Sequence, residues 1–474
     1  MSRPCDQNFN AALVLDRFQR LLTSLGESLP PITDVQVPPT ELGPTVASGV
    51  SPRPEFADER FRVDRHGEGA TVCAATEAGA FRGLVRLLVD PELTGSDGPR
   101  FAWRGLSVDL VRHPWPLETV VALTDLAALH GLNVLHLHLT DHQGWRLPFP
   151  PGTASEHSFS EADLAAIREH AAERFITVVP EIDLPGHVAA ALQAHPDLVD
   201  RENPPAHPLV AHLDPDVPGV LDFIREAVTQ LVEHFPGSPV HIGGDEAFGM
   251  VPAKFDTAVR AAVQAARAAG APTVVGWQEA VRSGGALDVL QYWMTPADIP
   301  TEESMAAAVP PEYADLARAV ARSFQDVAGD PDRLSASGVP VLMSPQNPLY
   351  FDRRVSDPSV DDRQTEQMQT MGFPGYAPLP TSALLDWDPA AELPEGTPLA
   401  GVEAAIWCET IGTVDELAML VLPRLGLFGE MSWRHERLTV ADVIAPVRRA
   451  ASYWTHLGFG EYYRSSDLFG TKSR

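Results

Sequence analysis

The stretch NVLHLHL, residues 133–139, followed at once by TDHQGW (140–145), decides the fold. The run is short and largely apolar at every position, which suits a strand buried on both faces. Strands of that kind pair in parallel when helices separate them. The same unit recurs on both sides. GLSVDL (105–110) precedes it, and ITVVPEI (176–182), PVHIGG (239–244), TVVGW (273–277), DVLQYW (288–293), VPVLM (339–343) and GVEAAIW (401–407) follow. Amphipathic stretches at 117–131, 160–174, 219–235 and 253–269 lie between the earlier runs. Eight strand–helix units over roughly 330 residues predict an α/β chain built on a (β/α)8 TIM barrel with insertions. A doubly wound sheet is the alternative architecture.

Residues 1–100 read differently and predict a small α+β domain with a linker ahead of a barrel and C-terminal helical tail over 101–474. LPPITDVQVPPTELGPT (29–45) is rich in proline and turn residues, FRVDRHGEGATVCAAT (61–76) alternates like one or two strands, and EAGAFRGLVRLLV (77–89) has helical spacing. LTGSDGPR (93–100) reads as the linker. Two long stretches within the barrel, 296–336 and 353–398, read as irregular, the length expected of lids or binding loops.

A net charge of −29 argues against nucleic acid and anionic membranes, which need a basic surface. No run of apolar residues is long enough for a membrane span. The first residues, MSRPCDQNFNAALVLDRFQRLL, are interrupted by charge and lack the apolar core of a secretory signal, so a cytoplasmic protein is expected. Three scattered cysteines, Cys5, Cys73 and Cys408, make neither a disulfide framework nor a cysteine-rich zinc site.

In a barrel of this kind chemistry belongs at the carboxyl ends of the strands. Those ends carry Asp109, Asp141, Glu181 with Asp183 and His187, Asp245 with Glu246, Trp277, Trp293, Tyr350 with Asp352, and Trp407 with Glu409. Acids among large aromatics suit a sugar, whose C–H faces pack on rings and whose hydroxyls donate to carboxylates. Cleaving a glycosidic bond needs a proton donor for the leaving oxygen and stabilisation of an oxocarbenium-like centre. A phosphate ester would call for basic clusters or metals instead. In HIGGDEAF (241–248) the glycines allow close approach of backbone or ligand. Where the chain turns out of a barrel, two adjacent acids can both reach the pocket, and their repulsion pushes their pKa values apart. The ordinary alternative is an acid pair at a helix N-terminus.

HLHLTDH also contains an H-x-H, which with Asp141 would make His136 and His138 metal ligands in some barrel hydrolases. The competing reading is histidines packed and hydrogen-bonded inside the barrel. Trp433 is expected in core or interdomain packing, and Trp293 either lines the pocket or caps the barrel floor.

Taken in order, WRGLSVDLVRHPWP, LNVLHLHLTDHQGWR, VPEIDLPGH, HIGGDE, GWQE, YFD, WCE and LPRLGLFGEMSW resemble the β-N-acetylhexosaminidases of glycoside hydrolase family 20. The resemblance runs from about Phe101 to Trp433. It implies a retaining, exo-acting hydrolase that removes terminal β-linked N-acetylglucosamine or N-acetylgalactosamine, in which the substrate's own acetamido oxygen attacks the anomeric carbon to give an oxazoline-type intermediate. Under it, Glu246 is the general acid and then the base for water. Asp245 holds the acetamido group, and Tyr350 hydrogen-bonds its oxygen. Arg104 matches the arginine that grips the C3 and C4 hydroxyls. Asp352 and Glu409 match acids on the C4 and C6 side. Trp277, Trp387 and Trp407 match the pocket tryptophans. Asp141 and His187 match the pair behind the acid, with Asp183 helping to orient it. The resemblance implies no cofactor and no metal, and a partner that is an oligosaccharide or glycoconjugate ending in N-acetylhexosamine.

His142 departs from the pattern where a second acid is usual, and Gln278 where an acid is common. Three other functions stay open at this level. One is a two-carboxylate retaining glycosidase with Glu246 as acid and Asp352 as nucleophile. Another is a metal-dependent barrel hydrolase on His136 and His138. The last is a sugar-binding protein on a degenerate barrel.

Overall fold

Val134–His138 pairs in parallel with Trp103–Asp109 on one side and Thr177–Glu181 on the other. From there the ladder runs through Val240–His241, Val274–Trp277, Val289–Tyr292, Val341–Met343 and Leu399–Ile406. The last strand returns to the first, with Gly401 opposite Trp103 and Ile406 opposite Val108, so the sheet closes into an eight-stranded parallel barrel. This computed structural model describes residues 9–27, 32–36, 56–67 and 69–470. Cys5 and most of the proline-rich stretch 29–45 lie outside them.

All eight apolar runs are strands, which excludes the doubly wound alternative. The four amphipathic stretches are the helices Leu117–Leu129, Glu161–Glu173, Val220–His234 and Pro252–Ala268. The later units are less regular because a 3-10 turn, Gln278–Arg282, follows the fifth strand where a full helix would stand. The stretch 296–336 departs from its irregular reading. It holds the helices Glu302–Ala307, Ala314–Ser323 and Asp330–Ser337, the first started by a Thr301–Ser304 capping box. Pieces this short and this charged leave too little periodicity to register as helices. The stretch 353–398 carries two short α-helices, Asp362–Met368 and Ala383–Asp386, and a 3-10 turn, Pro389–Ala391.

The amino-terminal part forms a four-stranded sheet in the order Ile32–Gln36, Gly69–Ala74, Phe61–His66, Gly95–Asp97. Its last strand falls in the stretch read as a linker. The helix Glu77–Val89 starts on Thr76, whose side chain accepts from Gly79 N, and is buried from Ala78 to Val89. A helix buried on every side must lie between two layers, here the small sheet and the barrel. Gly83 permits that closeness, since a Cβ there would sit 2.6 Å from Val72 Cγ1. The two arginines on this helix survive burial because each is paired. Arg82 Nε donates to Glu59 Oε1 at 2.6 Å, and Arg86 binds Glu430. Trp433 is buried and packs on Phe61 of the small sheet beneath Arg86 and Arg104, the core packing expected for it.

Inside the barrel the side chains form layers. Trp103, Val134, Val179, Val275, Val289, Leu342 and Ala400 make an apolar floor. Above it Glu403 accepts from Trp103 Nε1 at 2.8 Å and Gln291 Nε2 at 3.0 Å, and lies 2.8 Å from His136 Nδ1. Glu181 lies 2.6 Å from His138 Nδ1 and 2.8 Å from His241 Nδ1, and accepts from Trp277 Nε1 at 2.8 Å. His136 and His138 are thus bound to buried carboxylates, which is the packed reading of H-x-H.

Candidate active site

The two acids of HIGGDEAF leave the barrel at the carboxyl end of the fourth strand. Gly243 (φ 74°) and Gly244 (φ 105°) turn the chain there, and a Cβ on Gly243 would fall 1.9 Å from Asp183 Oδ1. Only glycine fits that approach. Glu246 itself is held at φ 45° and His187 at φ 52°, left-handed conformations that cost non-glycine residues about 1–3 kcal/mol. Strain of this kind on two residues that face one another marks a functional site.

His187 Nε2 lies 3.4 Å from Glu246 Oε2 and 3.7 Å from Asp245 Oδ2, while its Nδ1 lies 3.1 Å from Asp141 Oδ2. Burial alone would lower the imidazole's pKa, but Asp141, Asp183 and Asp245 together hold it well above its ordinary value. Asp141 is also buried. Arg112 and His187 overcome that burial and keep it well below the carboxylate range. The line Asp141–His187–Glu246 is therefore a fixed anion, a protonated imidazole and a half-open acid.

Asp245 behaves in the opposite way. Its burial, then the charge of Asp183, raises it well above the ordinary range. Burial likewise pushes Asp183 up to about 8. Two such carboxylates, each with an oxygen within 4.8 Å of the other, hold a proton between them. Asp245 Oδ1 is buried and accepts no hydrogen bond from any described residue, which leaves one acceptor of the pair unused.

Around these acids stands an aromatic wall of Trp277, Trp293, Tyr350 and Trp407. Trp293 lies parallel to Tyr350 with an interplanar angle of 3°. Trp407 is 6.0 Å from Trp277 and 5.7 Å from Tyr350, centre to centre. Burial, then Tyr376, keeps the Tyr350 phenol well above its usual pKa, so it is a neutral donor. Asp352, two residues on, is buried, and desolvation with the charge of Glu409 lifts it to about 8. Glu409 stands at the outer edge, 3.8 Å from Arg112 Nη2.

Two expected residues are elsewhere. Arg104 is the second residue of the first strand, at the amino end of the barrel. Its guanidinium donates to Glu59 Oε2 at 2.6 Å and to the carbonyls of Phe101 and Gly131. It faces away from the pocket. The arginine at the rim is Arg112, which binds Asp141 Oδ2 at 2.7 Å and Asp109 Oδ2 at 3.2 Å. Trp387 ends a short helix, donates to Glu392 and packs on the main core, outside the aromatic wall. The position on that wall belongs to Trp293. Tyr376, from the stretch 353–398, also reaches the site, 6.2 Å from Tyr350. Strand polarity was the signal for Arg112 and Trp293, since both follow carboxyl ends. Tyr376 gave none.

The two departures have local partners. His142 packs at a tilt against His187 with ring centres 4.8 Å apart, and burial and that neighbour lower it to about 4. Gln278 Oε1 accepts from the backbone N–H groups of Trp293 and Met294. Groups with the donor types and closeness to hold a cation include His136–Glu181–His241, His138–Glu181–Asp183 and Asp141–His142–His187. Their members bind one another, or Arg112, by the ion pairs above, so a metal would have to displace those bonds.

The sequence model "Glycosyl hydrolase family 20, catalytic domain" matches residues 101–436. A beta-N-acetylhexosaminidase of Cellulomonas fimi is 33% identical over 437 residues, covering 85% of this chain and 80% of that protein. The solved structure of the beta-N-acetylhexosaminidase from Streptomyces coelicolor superposes with a TM-score of 0.76 at 26% identity, over 98% of this chain and 93% of that one. A mutant Streptomyces plicatus beta-hexosaminidase in complex with product (GlcNAc) gives 0.73 at 25% identity, over 97% and 92%. No helix among the described residues is long and apolar enough to cross a membrane.

Proposed function

The chain belongs to glycoside hydrolase family 20, and from that membership we propose that it removes terminal, non-reducing β-linked N-acetylglucosamine or N-acetylgalactosamine from oligosaccharides or glycoconjugates. The observation that carries this reading is the unpartnered, buried Asp245 Oδ1 beside a neutral Tyr350 and three tryptophans. An acetamido group offers what that site wants: an N–H for Asp245, a carbonyl oxygen for the Tyr350 hydroxyl and a methyl for the aromatic wall.

Held this way, the acetamido oxygen is the nucleophile. It attacks the anomeric carbon as the glycosidic C–O bond breaks, and Glu246 delivers its proton to the leaving oxygen. Asp245, which shares one proton with Asp183, accepts from the amide N–H, and that hydrogen bond strengthens as positive charge builds on the nitrogen. Glu246, now ionised beside His187, takes a proton from water as the water opens the oxazoline-type ring and restores the β-configuration. Making the nucleophile intramolecular supplies much of the acceleration. Arg112, anchored by Asp109 and Asp141, is the arginine available to the ring hydroxyls, with Asp352 and Glu409 on the same side.

The two-carboxylate alternative would make Asp352 the nucleophile. A buried carboxyl with a pKa of about 8 is largely protonated at neutral pH and attacks poorly. Rates on aryl N-acetylglucosaminides against aryl glucosides separate the two; efficient cleavage of glucosides would overturn the acetamido reading. Glu246→Gln is expected to lower kcat about 10²–10⁴-fold on poor leaving groups and less on activated aryl glycosides. Equal losses on both would remove Glu246 from the acid role.

A further inference from the structure

We propose that the helical segment 301–337 braces the wall of this pocket, with Asp330 as a positioning residue that fixes the indole of Trp293 through the amide of Gln278. The inference rests on the reading above, in which Trp293 helps to hold the acetamido group.

Asp330 is fully buried and takes four donors: Arg282 Nε at 3.0 Å, Arg282 Nη2 at 2.5 Å, Arg333 Nη1 at 2.8 Å and Gln278 Nε2 at 3.2 Å. A carboxylate held by two arginines can only accept. Together with the Met294 carbonyl, which accepts from the same Nε2 at 3.2 Å, it sets which way the Gln278 amide faces. With its NH2 turned to Asp330, Gln278 must present its carbonyl oxygen to the other side. There it accepts from Trp293 N and Met294 N, both at 2.9 Å. A flipped amide would set NH2 against two N–H groups in a buried site. Asp330 thereby fixes the backbone at the end of the sixth strand, where Trp293 leaves the barrel.

The indole is held from two further directions. Its Nε1 donates to Glu279 Oε2 at 3.1 Å, and its face lies parallel to Tyr350. Phe324, from the same segment, meets Trp293 edge-on at 6.3 Å and Phe248 edge-on at 5.3 Å. Phe248 is two residues beyond Glu246. One inserted segment therefore contacts both the loop that carries the acid and the wall that holds the nucleophile. Gln278, where an acid is common in the family, is the matching half of this device. An acid there would face Asp330 as a second anion.

The test compares wild type with Asp330→Asn and with the double variant Gln278→Glu/Asp330→Asn. An asparagine can donate as well as accept, so it weakens one of the two holds on the Gln278 NH2 and leaves the Met294 carbonyl to keep it alone. A misplaced nucleophile slows the attack itself, so kcat/KM is expected to fall about 10–10²-fold by the same factor on activated and on poor leaving groups. That separates the effect from loss of the acid, and the pH profile should keep its shape. Affinity for a stable thiazoline analogue of the cyclised intermediate should fall in parallel. In the double variant the carboxylate introduced at position 278 accepts from Trp293 N, Met294 N and the amide introduced at position 330 but loses the bond to Met294 O, so part of the lost activity, at least about twofold, is expected to return. A folded Asp330→Asn with wild-type kcat/KM and analogue affinity would overturn the proposal, as would a folded double variant no better than the single one. If Asp330→Asn does not fold, Gln278→Leu, which removes the amide and keeps its bulk, is read in its place, and wild-type kcat/KM and analogue affinity in that folded variant overturn the proposal. Wild type inactive on N-acetylglucosaminides would instead defeat the reading of the pocket.

Discussion

Arg104 and Arg112 lie eight residues apart in one motif, WRGLSVDLVRHPW, and do different things. Arg104 enters the first strand and is spent on Glu59 and two carbonyls at the base of the barrel. Arg112 leaves the same strand and faces the pocket acids. Arg112→Met is expected to lower kcat/KM on aryl N-acetylglucosaminides about 10–10²-fold, the size of one or two lost charge-assisted hydrogen bonds. Arg104→Met should leave the kinetics of the folded enzyme within about twofold while lowering Tm, because Glu59 keeps its burial and loses a partner. Steady-state rates paired with thermal melts check both. Assigning the sugar arginine to Arg104 follows motif proximity. Strand polarity, which correctly placed Asp141, Asp245, Glu246, Tyr350 and Glu409 at the rim, excludes it. Trp387 failed for a different reason: it sits in an irregular loop with no strand to fix its direction.

At the scale of elements, legibility follows periodicity and capping. The helix Glu77–Val89 was readable to its ends, with Thr76 capping its start and the chain leaving helical geometry at Asp90. The segment 301–337 was not, because its contacts with Trp293, Phe248 and Gln278 are made across the fold by residues without local pattern. Helix Glu77–Val89 also carries a measurable load. Glu59 balances Arg82 and Arg104 between the small sheet and the barrel, both arginines being fully buried. Glu59→Ala leaves two uncompensated cations and is expected to cost about 3–5 kcal/mol in urea denaturation. The catalytic rate of the fraction that stays folded should not change.

The whole molecule titrates through its buried acids. Asp352 binds its proton more tightly when folded, with a pKa of about 8 against an ordinary 3.8. A raised carboxyl favours the folded state fully below the unfolded value, and that contribution is lost as pH climbs from about 4 through about 8. Asp183, also near 8, acts in the same sense. Asp352→Asn removes one such group, so Tm of the variant is expected to fall less than that of wild type between pH 5 and 9. Parallel curves would mean that Asp352 ionises freely in the native state. The fold at this scale was legible because eight apolar runs alternate with helices, whereas the proton-holding interior depends on distances that no spacing encodes.

Glu181 has a consequence for how such a molecule can change. One carboxylate holds the indole of Trp277 and the ring of His138, and His138 in turn touches the aspartate behind His187. A mutation that reshapes the sugar cavity at that indole also disturbs the machinery of protonation, so the two traits are pleiotropic and cannot drift apart. Variation in which glycans such a chain accepts is therefore channelled into its peripheral loops, and directed evolution for altered selectivity would gain most by randomising those loops and leaving the barrel interior alone.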